Sequence, residues 1–161
     1  MATPARQKIT TFLWYDKDAE EAVRFYCSVF KDSKVLEEVR WGEGGAMPKG
    51  TVMTMRFQLA GQQFIALNAG PHDRFNDAIS LVVDCADQKE IDRYWDALQA
   101  GGGKPIQCGW VQDKFGLRWQ IVPSRLSEWL TDPKNGKRAT EAMLKMQKLD
   151  VAKLEAAAKG R

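Results

Sequence analysis

The sequence predicts an α+β protein made of two β-α-β-β-β units in tandem, followed by helices. Three observations carry that expectation. Runs with period-2 alternation flank single segments of helical period in the order strand, helix, strand, strand, strand. The order then starts again: an offset of 69 lays Glu21–Tyr26 (EAVRFY) on Glu90–Trp95 (EIDRYW), and an offset of 55 lays Gly61–Phe64 on Gly116–Trp119. Beyond Pro123 only helical patterns remain. These signals place module one at about 8–70, module two at about 76–123 and a C-terminal helical appendage at 124–161. A length of 161 residues suits one domain spanning 1–161 better than two independent ones.

Each element has its own signal. Ile9–Tyr15 (ITTFLWY) reads as a buried strand, and Asp18 followed by Glu21 has the spacing of a capping box opening a helix through about Phe30. Ala22, Phe25, Tyr26 and Val29 share one face of that helix, which predicts packing on a sheet. Lys34–Trp41 is the next strand, joined by the glycine-rich Gly42–Gly50 to TVMTMRFQL, where Met53, Met55, Phe57 and Leu59 alternate with polar residues. Ala60-Gly61 marks a tight turn, and Gln62–Leu67 returns as a second arm. Ala78–Asp84 (AISLVVD) opens module two. Asp87 and Glu90 repeat the cap spacing there, and Ile91, Tyr94, Trp95 and Leu98 repeat the helical face. The fall in offset leaves module two 14 residues shorter, roughly where module one has its glycine-rich connection. After Pro123 come Ser124–Leu130, Arg138–Lys148 and VAKLEAAAKG capped by Asp150. Ala139, Met143 and Met146 share a face, as do Val151, Leu154 and Ala158, so these segments dock on the body or on a second subunit.

Composition excludes several functions. Charge is nearly balanced, 24 Lys and Arg against 21 Asp and Glu, and much of the basic excess lies in the last thirty residues, so no basic field predicts nucleic acid binding. No run of eighteen apolar residues exists and Met1–Lys8 is short and polar, so a membrane span and a secretion signal are not expected. The expected location is the cytoplasm. Three widely spaced cysteines, Cys27, Cys85 and Cys108, with no Cys-x-x-Cys pair, predict reduced thiols. A single histidine, His72, excludes any metal triad needing two histidines from one chain. The GEGG run has no helix pattern after it, and PKGT reverses the order that a phosphate loop requires.

Tandem β-α-β-β-β units carrying LNAGPHDRFNDAISLVVDC (Leu67–Cys85), CGWVQDKFGLRWQIVPS (Cys108–Ser124) and KLDVAKLEAA resemble the PhnB-like branch of the vicinal oxygen chelate superfamily. These are relatives of glyoxalase, bleomycin-resistance proteins and dioxygenases, and the branch is often labelled 3-demethylubiquinone-9 3-methyltransferase. The resemblance spans about residues 8–155 and is most specific in the tryptophan-rich segment. It implies sheets curled into a cup, a homodimer, and a small molecule bound within. In metal-dependent members a divalent ion sits there and stabilises neighbouring substrate oxygens as a Lewis acid. The matching positions here are Ile9, Ile65, Ala78 and Gln120, of which only Gln120 is a plausible ligand. A slip of register would bring in Thr10, Thr11 or Ser80, none a usual ligand for a transition metal. No metal and no other cofactor is therefore expected. The methyltransferase label is rejected, because Asp16-Lys17-Asp18 after the first strand is no glycine-rich cofactor loop.

The candidate site residues follow. His72, in a Gly-Pro loop between the modules, is the candidate acid/base group. Thr11 and Ser80 fall on the equivalent face of the two first strands, and Gln120 offers an amide on the face that carries the ligand in relatives. Asn68 and Asn76 bracket the Gly-Pro loop as ligand-orienting or turn residues. Cys108, Trp110 and Asp113 complete the set: a thiol without a nearby histidine in sequence, an indole that lines a pocket or fills the core, and a carboxylate read first as a hairpin residue. Three function classes stay open. One is a metal-free small-molecule-binding protein. Another is a lyase, isomerase or dioxygenase using a displaced metal site or His72. The third is a structural or regulatory dimer.

Overall fold

In the computed structural model, which describes residues 7–161, β1 (Thr11–Tyr15) leads through three residues into α1 (Ala19–Val29). β2 (Lys34–Arg40), β3 (Val52–Leu59) and β4 (Gln62–Asn68) complete a sheet of order β1-β4-β3-β2, with β1 parallel to β4 and the other pairs antiparallel. The same topology returns in β5 (Leu81–Cys85), α2 (Gln88–Gln99), β6 (Lys104–Pro105), β7 (Trp110–Gln112) and β8 (Arg118–Pro123), ordered β5-β8-β7-β6. α3 (Leu126–Leu130), α4 (Gly136–Met143) and α5 (Val151–Ala158) follow. The fold is thus the expected α+β tandem of βαβββ modules with C-terminal helices. The chain divides into two compact units, one ending at Arg74 and one beginning at Phe75, and the C-terminal helices belong to the second.

In unit one, Leu13, Tyr15, Met55, Phe57, Leu59, Phe64 and Ala66 are buried on the strands, and α1 packs on β3 and β4. The buried stripe of α1 is Ala19, Ala22, Val23 and Tyr26, one position round from the expected one, which leaves Phe25 and Val29 half-buried. Two alanines let the helix approach the strands closely, and the Phe25 ring tilts against Tyr26 at 5.7 Å instead. Ala60 and Gly61 both take left-handed backbone, φ 45° and 85°, as a two-residue hairpin turn demands.

The helix starts differ between the units. Asp18 makes no side-chain cap, contrary to expectation. Asn68, at the end of β4, does that work: its Oδ1 accepts from Ala19 N at 2.8 Å while its Nδ2 donates to Val52 O at 3.0 Å. The offset of 55 puts Pro123, which has no side-chain acceptor, at the matching place in unit two. There the expected local cap forms. Asp87 Oδ1 accepts from Glu90 N at 2.8 Å, and Glu90 Oε2 accepts from Ala86 N at 2.9 Å. The predicted apolar face of α2, Ile91, Tyr94, Trp95 and Leu98, is the buried one.

A register difference corrects one pairing of residues. Thr11 pairs with Phe64 and Leu81 with Trp119, so the first strands correspond at an offset of 70, whereas the helices correspond at 69. The cause is the turn: three residues (Asp16, Lys17, Asp18) join β1 to α1, and two (Ala86, Asp87) join β5 to α2. Ser80 therefore corresponds to Thr10, and Thr11 to Leu81. Because side chains alternate, Thr11 and Ser80 lie on opposite faces, contrary to the sequence expectation.

The C-terminal helices dock within unit two around Trp129, Ala139, Leu149 and Leu154, with Met143, Met146, Val151 and Ala158 packed against them. α4 ends at Met143, earlier than expected, and the segment after it turns back to the sheet: Cys108 N donates to Met146 O at 2.8 Å and Gly109 N to Gln147 O at 2.7 Å. Gln88 fastens the same segment to α2, donating to Leu149 O and accepting from Val151 N.

Candidate functional site

Each sheet has one face against its own helix and one turned away. On the away face of the first, Phe12, Ile65 and Arg56 stand side by side across β1, β4 and β3. On the away face of the second, Val82, Gln120 and Trp110 hold the corresponding places across β5, β8 and β7. Phe12 is 53% exposed and Val82 60%, large values for apolar side chains in mid-strand. Directly opposed cross-strand residues have Cβ atoms about 5 Å apart, so each trio is a continuous patch.

The second trio carries a neutral amide and an indole where the first carries the charged Arg56. Gln120 Nε2 donates to Ser80 Oγ at 2.8 Å, which brings two of the predicted residues together. Trp110 is half-buried beside Gln120, and its indole N–H makes no hydrogen bond to another described residue. Val122, next along the same face, packs against the cluster formed by the C-terminal helices, which bounds the patch on that side. Arg118 is occupied on its flank: Nε donates to Asp77 and Nη1 to Gly116 O.

The other predicted residues lie elsewhere. Thr11 is on the helix side of β1 with Leu13 and Tyr15. Asn68, 2% exposed, caps α1 and holds Val52. Asp113, 1% exposed, gives Oδ1 to Phe115 N and Leu117 N and Oδ2 to the Trp119 indole at 2.8 Å. Both polar groups are spent on the fold. Asn76 is exposed and accepts from Ala78 N, an Asx turn. Cys108 is half-buried with φ 60°, its backbone tied to Met146. Among the other thiols, burial pushes Cys85 up to about 12, with Glu90 adding to it, and pushes Cys27 up as well. His72 is exposed and lies edge-on to Trp14, ring centroids 6.4 Å apart, while the Trp14 indole donates to Gly70 O at 2.9 Å.

Arg56, paired with Glu37 at 3.2 Å, and Trp14 also stand on the away face of the first sheet and were not singled out in the sequence. The alternation of TMRFQL and FLWY carried the signal, since both occupy positions out of phase with the buried set. The positions matched to a metal site become Ile9, Ile65, Ile79 and Gln120 once the register is corrected, and they hold one oxygen donor. Among the described residues no group of three or more His, Cys, Asp or Glu side chains could hold a metal ion. This donor set does not fit a divalent transition metal. A groove of about 630 Å³ in unit two lies between Gln88, Met146, Leu149, Val151 and neighbouring lysines, and none of the candidate residues lines it.

The family model for 3-demethylubiquinone-9 3-methyltransferase matches residues 7–122. A solved Bacillus cereus PhnB protein, provisionally named a 3-demethylubiquinone-9 3-methyltransferase, is 36% identical with a TM-score of 0.67, over 73% of this chain and 99% of its own. The Pseudomonas aeruginosa protein PA1353 is 19% identical with a TM-score of 0.61, over 73% and 97% of the two chains. The fosfomycin resistance protein FosX from Listeria monocytogenes is 15% identical with a TM-score of 0.57, over 79% and 98%. At such identities the last two show a shared fold alone. No curated protein matches the chain. The chain belongs to the 3-demethylubiquinone-9 3-methyltransferase, or PhnB-like, family of the vicinal oxygen chelate superfamily.

Proposed function

We propose that this chain binds a small organic molecule on the away face of its second sheet, without a resident metal and without methyl transfer. The observation that carries the reading is the Val82–Gln120–Trp110 row: an exposed aliphatic, a primary amide fixed by Ser80 and a half-buried indole, contiguous and turned away from α2. A few placed polar groups among apolar ones are what a small-molecule site needs. Against methyl transfer stands the turn after β1, where Asp16, Lys17 and Asp18 lead straight into α1 with no glycine-rich loop to cradle a cofactor. The protein functions in the cytoplasm on this reading, and no helix among the described residues is long and apolar enough to cross a membrane.

The same reading includes a homodimer. Ile9 is 86% exposed and Ile79 58%, and the two correspond at the strand offset of 70, as Phe12 and Val82 do. Exposed apolar residues repeated at matching positions suit burial against a second copy. An enzymatic role has one observation in its favour, the placing of His72 against Trp14 beside the first sheet, and in that case His72→Ala abolishes turnover of the bound molecule.

Native mass spectrometry of gently purified protein tests the reading. The expected spectrum is a dimer without a divalent ion and with an organic adduct. A stoichiometric metal in each subunit contradicts it. A bare dimer that takes up no member of an added metabolite extract contradicts it as well, and favours a structural or regulatory dimer.

A further inference from the structure

We propose that the group seated on the second sheet is an uncharged planar ring with adjacent N–H and C=O, a cyclic amide or imide edge, read by Gln120 and Trp110 together. The proposal rests on the binding reading above and gives it a ligand class. Trp110 and Gln120 are directly opposed in the β7–β8 pair, so their side chains rise from the sheet as neighbours about 5 Å apart at Cβ. Ser80 Oγ accepts from Gln120 Nε2, and Gln120 Oε1 accepts from no other described residue, which leaves it as the available acceptor. The Trp110 indole is a donor only, and on this half-buried side chain its N–H makes no hydrogen bond to another described residue, which leaves it to solvent or a ligand. One acceptor beside one donor is the complement of a cis-amide edge, whose N–H and C=O sit side by side.

The surroundings favour a neutral ring. Arg118, on this face, is held by Asp77 and by Gly116 O, and the exposed Asp84 lies two residues along β5 from Val82, so the face does not suit a carboxylate or phosphate. Val82 on one flank and the Trp110 ring on the other offer apolar contact to a flat body, with Val122 and the C-terminal helices closing one end. The extension beyond the family match also holds the backbone that leads into Trp110. The N–H groups of Cys108 and Gly109 are held by the carbonyls of Met146 and Gln147, immediately before Trp110. Any side chain at Gly109 would place its Cβ 2.8 Å from Ile121 O and 3.1 Å from Leu149 Cδ1.

Titration calorimetry of the full chain with 2-quinolone and N-methyl-2-quinolone tests this, since the pair differ in the single N–H donor. 2-Quinolone is expected to bind about tenfold more tightly, the scale of one well-made hydrogen bond. The preference should shrink to about twofold or less in Gln120→Leu, while Trp110→Phe, which keeps a ring but removes the indole donor, weakens both ligands. Circular dichroism confirms that each variant is folded. Equal affinities for the two quinolones overturn the amide assignment; if Val82→Asp abolishes both, the face still binds and only the ligand class has failed. A preference that survives Gln120→Leu overturns the assignment too, as does a chain that binds neither compound, and the mass spectrum then judges the binding reading separately.

Discussion

Asp113 is 1% exposed and accepts three N–H groups, from Phe115, Leu117 and the Trp119 indole. Asp113→Ala removes the acceptor of all three, two of them buried, and we expect a loss of about 3 kcal/mol in urea unfolding. Asn68→Ala removes the α1 cap and the bond to Val52 together, for about 2 kcal/mol, with no change in quinolone affinity at unit two. Gly109→Ala meets backbone at 2.8 Å with φ 82°, so it should both destabilise unit two and loosen Trp110, seen as weaker quinolone binding. These residues show why part of the site was legible and part was not. Asp113 finds its partners within six residues, so DKFG reads as a turn from sequence alone. The partner of Asn68 lies 49 residues away, at Ala19, and no local pattern reveals a cap supplied from another strand.

Turn length, one residue longer before α1 than before α2, shifts the first strands against the helices and decides which side chains face away. Periodicity named the face of α2 and, from Met55 to Leu59, that of β3 correctly, though Met53 at the start of β3 is only half-buried and Val52 is buried in its place. It misplaced the stripe of α1 by one position, where small residues on either side of the apolar arc let tertiary packing choose. The C-terminal helices give the element-scale predictions. Leu149→Ala should cost roughly 2–5 kcal/mol, the usual range for a buried leucine, and should release the Cys108–Gly109 backbone. The backbone N–H of Lys153 holds the Asp150 carboxyl below its ordinary 3.8, and a hydrogen bond from Lys148 does the same for Asp92. Both contribute stability above that ordinary value and lose it as pH falls through their lowered values. Lys148 is raised above 10.5 by Asp92, so its share persists below 10.5 and fades as pH rises through the raised value. The α5 methyl resonances of Leu154 and Ala157 should therefore hold their native shifts between about pH 4 and pH 10 and move outside that window. In Asp150→Ala the acid step should shrink, with about 1 kcal/mol lost at neutral pH.

Duplication gives the molecule two sheets of one topology with different rows on their away faces, Phe12–Ile65–Arg56 on one and Val82–Gln120–Trp110 on the other. The repeat was plain in the sequence because the cap spacing and helical face survive at a fixed offset. The divergence of the away faces was not, because a scaffold constrains its buried face and leaves the other free to vary. The family match ends at residue 122, so the helices that bound the second row lie outside it. Six tryptophans make the account directly observable, since each indole N–H gives its own resonance. Titrating 2-quinolone into the labelled full chain should move the Trp110 indole signal most, with Trp119, held by Asp113, and Trp129, buried among the C-terminal helices, left in place. If the Trp110 signal stays fixed while the ligand binds, or the Trp119 signal moves as far, the away face of the second sheet is not the binding surface.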